Sequence, residues 1–262
     1  MSDREIIRAS GVTKRFGALT AVDNVDYVLR EGEIAGIIGS NGAGKTTFFN
    51  LLTGFYTPDE GTIFYEGADV TRLTPQQRVA RGMMRTFQLT STFETLCVAD
   101  NLVLAYFRAH RRSTLFDLLT NTCRTHRHDE RIVRTLRTFT LEHVADRLVR
   151  HLSLGEKRRL EIAMSVLAEP KVLLLDEPLA GLAESEIRSV LDVLRQHAGQ
   201  QTILIVEHKI SHVSDFLQRL TVMHDGKVIA DGGYEETLKH PAVRKSYWQI
   251  DAAEDEAAGT TP

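Results

Sequence analysis

The chain has 262 residues, 42% of them hydrophobic and 26% charged, with a formal net charge of −3. That length holds one large α/β domain or two small ones, and the near-neutral charge offers no global basic field for nucleic acid. The two cysteines, Cys97 and Cys123, form no metal-type pattern, a disulfide is not expected, and a reducing compartment fits. No apolar run approaches the ~18 residues of a membrane span, and the charged opening MSDREIIRAS predicts no secretory leader.

Short β-rich runs come first: IIRASGVTKRFG, VDYVLR and GEIAGIIGSNG. The third is a continuous apolar strand that ends in a glycine loop. A helix is predicted from about Gly44 to Gly54, where the glycine suits a C-cap. GTIFYEG reads as a strand between turn glycines. Residues from about 89 to 150 carry helical signals instead, with Ile132, Val133, Leu136 and Phe139 on one face, and suggest a helical insertion. There follow a helix over 156–167, a strand over 171–175, a helix over 184–197, a strand over 202–206, a short helix, and the strands of LTVMHDGKVIADG. Strands alternating with helices predict a mainly parallel sheet flanked by helices. The closing DAAEDEAAGTTP is acidic and non-periodic and reads as a flexible tail over 251–262.

GSNGAGKTT comprises Gly39, Ser40, Asn41, Gly42, Ala43, Gly44, Lys45, Thr46 and Thr47. It fits G-x-x-x-x-G-K-[ST] between a strand and a helix, the context in which that pattern cradles phosphates. Lys45 would reach the β- and γ-phosphates, and Thr46 would ligate Mg²⁺; the plainer alternative is a glycine-rich helix cap. KVLLLDEP delivers Asp176 and Glu177 from the carboxyl end of a buried strand, where ligand sites of such sheets lie. Asp176 would hold Mg²⁺ through water, and Glu177 would polarise an attacking water. His208 follows another apolar strand and can point at the same phosphate. Gln88, where the chain leaves for the helical insertion, could sense the γ-phosphate or the metal. Phe16 reads more readily as a core residue, though an aromatic shortly before the nucleotide loop could instead stack on adenine.

In HLSLGEKRRLEIAMSVL, Ser153 sits at an N-cap and Glu156 three residues on, which predicts a capping box. Leu160, Ala163, Met164 and Leu167 follow at helical spacing. With Gly155 leaving the backbone bare, this helix start is a ready anion site. The stretch 108–150 holds ten arginines against five acidic residues, either a solvated face or a surface for acidic loops or lipid phosphates; sparse aromatics disfavour nucleic acid.

Phe16, GSNGAGKTT, Gln88, LSLGEKRR, VLLLDEP and His208, in this order, resemble the nucleotide-binding subunit of an ATP-binding cassette (ABC) transporter over about residues 4–250. The resemblance implies a P-loop ATPase core with an N-terminal antiparallel β subdomain and an inserted helical subdomain at about 89–168, all one domain over 1–250. It implies Mg-ATP as ligand and head-to-tail dimers, in which Ser153, Gly155 and Glu156 of one subunit meet the γ-phosphate held by the other. RRLEIA, AGL, VEHKI and GKVIADGGYEETLKHPAVRKSYW are similar to the branched-chain and hydrophobic amino-acid uptake group, which includes importers of urea, amides and aromatic acids. That group implies a second ATPase subunit, identical or different, two integral-membrane permeases and, indirectly, a periplasmic or extracellular solute-binding protein. The expected place is peripheral, on the cytoplasmic face of a bacterial inner membrane. An ATPase of lipid or lipopolysaccharide export and a soluble cassette are the alternatives; the long insertion speaks against the first, and the absence of a second cassette or coiled coil against the second. The chain departs from the family pattern at Ser40, Leu154, Lys157 and Ala183, the last where Asp or Asn is common.

Overall fold

The computed structural model of the chain describes residues 4–86, 92–110, 126–196, 201–207, 214 and 216–247. Gln88, His208, Cys123 and the tail 251–262 lie outside the described residues. In chain order the elements are β1 (Glu5–Phe16), β2 (Leu19–Arg30), β3 (Ile34–Gly39), α1 (Lys45–Thr53), β4 (Glu60–Tyr65), β5 (Ala68–Asp69), α2 (Pro75–Val79) and β6 (Met83–Arg85). Then come α3 (Val98–His110), α4 (Glu130–Thr138), α5 (Leu154–Leu167), β7 (Val172–Asp176), α6 (Glu184–Gln196) and β8 (Thr202–Val206). β9 (Arg219–His224), β10 (Lys227–Gly232), α7 (Tyr234–Lys239) and α8 (Pro241–Tyr247) close the described chain.

The chain divides into two compact units, Met1–Arg81 with Thr202–Pro262, and Gly82–Gln201. The first unit holds an antiparallel sheet in the order β2-β1-β4-β5. Its strands alternate, as a half-buried sheet must: Ile7, Ala9, Val25, Tyr27, Leu29 and Ile63 turn inward. A second set of strands has β3 between β8 and β9, both parallel to it, with β10 antiparallel on β9. β3 and β8 are buried along their whole length, the continuous apolar pattern of a strand covered on both faces. α1 buries Phe48, Phe49, Leu51 and Leu52, each contributing about 1.5–3 kcal/mol of hydrophobic stabilisation. It ends at Gly54 in the left-handed conformation (φ 82°), the expected C-cap.

The second unit pairs β6 with β7 in parallel, Arg85 opposite Leu174. Its helices share a core of Val98, Leu102, Ile132, Leu136, Phe139, Leu160, Ala163 and Met164. Around α4, Ile132, Leu136 and Phe139 are buried, while Val133, expected on the same face, is only half-buried. α5 begins at Leu154, two residues earlier than its apolar pattern predicts, because the capping box places the boundary at Ser153. Strand β7 is shifted one residue onward from expectation, so that Lys171 stays exposed and Asp176 completes the strand. Cys97 is buried as a free thiol. Asp100 binds Arg127 through both oxygens at 2.7 and 2.6 Å, tying the start of α3 to the chain before α4.

One buried cation organises the first unit. Arg78 is 1% exposed, and burial pushes its pKa down to about 10. Its guanidinium donates to the carbonyls of Leu51 and Leu52 at the end of α1 (2.8 and 2.6 Å) and to that of Val70 (2.6 Å). The Leu51 and Val70 carbonyls also accept from the amides of Gly54 and Leu73 (3.2 and 3.0 Å), so the guanidinium adds a second, charged donor to each and joins the end of α1 to the segment after β5. Arg78→Met should therefore cost roughly 2–4 kcal/mol, since three charge-assisted hydrogen bonds to buried carbonyls are lost at once. Urea denaturation checks this; a loss within ~0.5 kcal/mol would show the carbonyls finding water instead.

Candidate functional site

In the first unit, β3 runs out into the glycine loop and α1 begins directly after it. Gly44 stands at the N-cap with φ 94°, a left-handed conformation that side chains resist, and no side chain caps the helix. A Cβ at Gly44 would meet the Ala21 carbonyl oxygen at 2.3 Å, and one at Gly39 would meet that of Met223 at 2.3 Å. The sequence needs glycine there because the loop is pressed onto neighbouring backbone. Lys45 is 4% exposed, and its ammonium donates to the Gly39 and Ser40 carbonyls at 2.7 and 2.9 Å. Ser40, Asn41, Gly42 and Thr46 are exposed, Thr47 is half-buried, and Ala43 is buried. The first turn of α1 carries no acidic residue, so its amide groups present undiminished positive potential. This is a loop built to take an anion with several oxygens.

Phe16 ends β1 and is 44% exposed, which removes it from the core. Its ring meets Tyr56 edge-on at 5.3 Å between centroids, and the Lys14 ammonium lies 5.7 Å from its centroid. Sequence reasoning did not single out Tyr56. It follows the helix C-cap by two residues, and only folding brings it to Phe16.

In the second unit, β7 carries Asp176 and Glu177 out of four buried apolar residues, Val172 to Leu175. Arg85, at the end of the neighbouring β6, donates to Asp176 Oδ2 at 2.7 Å. Burial lifts the Asp176 carboxyl above the ordinary carboxylate range, and the Arg85 charge offsets that only in part. Glu177 adopts φ 47°, rare for a residue with a side chain. Arg158, on α5, holds that turn: its guanidinium donates to the Glu177 carbonyl and, at 3.1 Å, to that of Pro178. Neither arginine was singled out from the sequence. Arg85 lies in the short run MMRTF and Arg158 in a polar helix face, where the bland reading of an arginine is solvent contact.

At the start of α5 the predicted capping box is present. Ser153 Oγ accepts from Glu156 N–H at 3.2 Å, and Glu156 Oε2 accepts from Ser153 N–H at 2.7 Å. Burial works to raise the Glu156 pKa, yet the Ser153 hydrogen bonds, His143 and Arg147 hold it below its ordinary value. Ser153 and Leu154 are exposed and Gly155 is buried. The fold thus gathers Gly39, Ser40, Gly44 and Lys45 in one unit, and Asp176, Glu177 and the Ser153–Glu156 turn in the other.

No group of three or more His, Cys, Asp or Glu side chains among the described residues is arranged to cage a metal ion. Magnesium needs no such cage when one or two carboxylates and substrate phosphates complete its shell. In the first unit the exposed Thr46, and in the second the half-buried Asp176, are each a donor of the kind such a shell takes. No helix among the described residues is long and apolar enough to cross a membrane.

The sequence profile of the ABC transporter family matches residues 22–180. The high-affinity branched-chain amino acid transport ATP-binding protein LivG of Salmonella typhimurium is 38% identical over 249 residues, 92% of this chain and 97% of that protein. BraF of Pseudomonas aeruginosa, a protein of the same description, is 35% identical over 252 residues, 93% and 98% of the two chains. Among solved structures, the ADP conformation of MJ1267, an ATP-binding cassette of an ABC transporter, is 31% identical with a TM-score of 0.76, covering 94% of this chain and 99% of that one. The dimeric bacterial cassette MJ0796 shares the fold at 23% identity and a TM-score of 0.75, over 87% and 99% of the chains. Phosphate-cradling loop, acidic strand end and capped Ser-Leu-Gly-Glu helix therefore have one common explanation, and the chain belongs to the ABC transporter family as an ATP-binding subunit.

Proposed function

We propose that this subunit powers an importer of branched-chain or other hydrophobic amino acids, or of a related small solute. What carries the reading is near-full-length similarity to LivG and BraF, together with the closing segment around GKVIADGG. On this reading the chain is a single cassette over 1–250, with a helical subdomain at about 89–168. It works on the cytoplasmic face of the membrane, with a second cassette, two permeases and a solute-binding protein as the wider assembly. The dimeric architecture described for MJ0796 supports pairing of cassettes.

Phe16 offers its exposed face to adenine, with Tyr56 buttressing the ring. The amides of Gly39–Thr47 and the Lys45 ammonium take the phosphate oxygens, which compete with the Gly39 and Ser40 carbonyls for Lys45. Thr46, Asp176 and Gln88 are the residues that would hold Mg²⁺, and the ion would supply charge neutralisation for the transferred phosphoryl group. Glu177 accepts the proton of the attacking water, and His208 donates to the γ-phosphate. Phosphoryl transfer of this kind is positioning plus charge stabilisation, with little covalent work for the protein. Ser153, Gly155 and Glu156 receive the γ-phosphate of the partner's ATP at the start of α5. Loss of that phosphate removes the ligand shared by two subunits and shifts the population toward the open dimer.

Isolation of the tagged full chain from native membranes in mild detergent should bring two permeases and a second cassette with it. Recovery with a soluble scaffold alone would overturn the importer reading. Glu177→Gln should retain ATP binding and lower turnover roughly 10²–10⁴-fold; wild-type hydrolysis by that variant would remove Glu177 as the base. Lys45→Ala should lose ATP binding in a filter or fluorescence assay, and retained micromolar affinity would contradict the cradle. Ser153→Arg should bind ATP normally yet fail to close with a partner in a size-exclusion assay; unchanged closure would refute the trans role of the α5 turn.

A further inference from the structure

Two departures from the family pattern, Leu154 and Ala183, occur at one small interface inside the second unit. A Cβ added to Gly181 would meet Leu154 Cδ2 at 2.9 Å, so the Leu154 side chain rests on a bare α-carbon two residues before Ala183. Ala183 is itself the N-cap of α6: its carbonyl accepts from Glu186 N–H and Ile187 N–H, both at 2.9 Å. An alanine there has no side chain to cap the helix. The missing half of the cap is met from the other side. Glu186, at the third helical position, accepts from Ala183 N–H through Oε2 at 2.9 Å.

That carboxylate does more than cap. Its Oε1 lies 3.2 Å from Arg159 Nη1, on α5. Both oxygens also crowd the signature glycine: a Cβ on Gly155 would meet Oε1 at 2.5 Å and Oε2 at 2.8 Å. One side chain therefore touches the Ser-Leu-Gly-Glu turn, the next turn of the same helix, and the backbone of the loop 181–183. The ion pair is half-buried, with side-chain exposures of 11% for Arg159 and 25% for Glu186. A charge-assisted contact in that setting fixes geometry in a way an exposed pair does not.

We propose that Glu186 is a positioning residue for ATP hydrolysis, locking the loop 181–183 to the signature turn so that the two move as one body. The inference rests on the proposed trans engagement of Ser153 and Gly155 with the partner's nucleotide. Under it, capture of a γ-phosphate by the signature turn is passed to Ala183 through the carboxylate, without a polar side chain at position 183. It also gives Gly155 a second requirement besides bare amides, namely room for Glu186.

The test is steady-state ATP hydrolysis by the full chain as Glu186→Gln and Glu186→Ala, with MgATP as probe and Ser153→Arg as reference. Glu186→Ala loses both the Ala183 and Arg159 contacts, and its kcat should fall about tenfold or more while KM for ATP stays within about twofold. Glu186→Gln keeps an acceptor for Ala183 N–H and should give an intermediate kcat with the melting temperature of the parent. A purely structural role would lower the folded fraction and leave kcat per folded molecule unchanged, and that result overturns the proposal. Should Glu186→Ala fail to fold, Glu186→Gln decides alone: a parental kcat refutes, a lowered kcat at parental KM supports. If Ser153→Arg leaves turnover and closure intact, the trans reading itself has failed; if it abolishes them while both Glu186 variants match the parent, only the positioning role has.

Discussion

A buried ammonium has to touch oxygen, and the glycine loop is shaped by that need. Lys45 is almost wholly removed from solvent and is held by the carbonyls of Gly39 and Ser40. To bring those carbonyls to the start of its own helix, the loop must fold tightly back on itself. The tightness is what forbids side chains at Gly39 and Gly44, where added carbons would strike backbone oxygens of Met223 and Ala21. The same curl turns the first amides of α1 outward without an acidic residue to quench them. On the proposed reading, a phosphate chain would bring oxygens carrying full charge to this spot, better partners for an ammonium than peptide carbonyls.

The second unit meets a similar demand with the signs exchanged. Asp176 reaches the end of a fully apolar strand, where a lone carboxylate is costly, and Arg85 from the adjacent strand supplies the counter-charge. One residue on, Glu177 sits in a backbone conformation that costs energy, and Arg158 holds its carbonyl in place from α5. Backbone strain at a residue of proposed catalytic role, fastened by a neighbouring helix, fixes where its side chain leaves the chain. Arg158 of α5 holds the carbonyls of Glu177 and Pro178, and its neighbour Arg159 pairs with Glu186 of α6, so the signature helix, the acidic strand end and the loop before α6 are braced against one another.

These braces bear on how the departures at Leu154 and Ala183 should be weighed. Taken singly, each removes something the family usually has. In the fold, Leu154 covers Gly181 and Glu186 serves the amide of Ala183, so the local contacts of that loop are satisfied from within the chain.

Much of this was legible from the sequence. The phosphate loop, the acidic strand end and the capping box each depend on residues close together in the chain, and their chemistry is set by local geometry: glycine for positive φ, a serine and a glutamate three apart for a helix start. Continuous apolar runs marked the buried strands for the same reason. What the sequence could not fix was the identity of partners far apart in number. That Arg85 would find Asp176, Arg158 the Glu177 carbonyl, Phe16 a ring at Tyr56, and Arg78 the end of α1 depends on which strands pair and which helices pack. An arginine looks the same on paper whether it faces solvent or a buried acceptor. Only the tertiary structure decides, because only there does desolvation make an unpaired charge expensive enough to choose its partner.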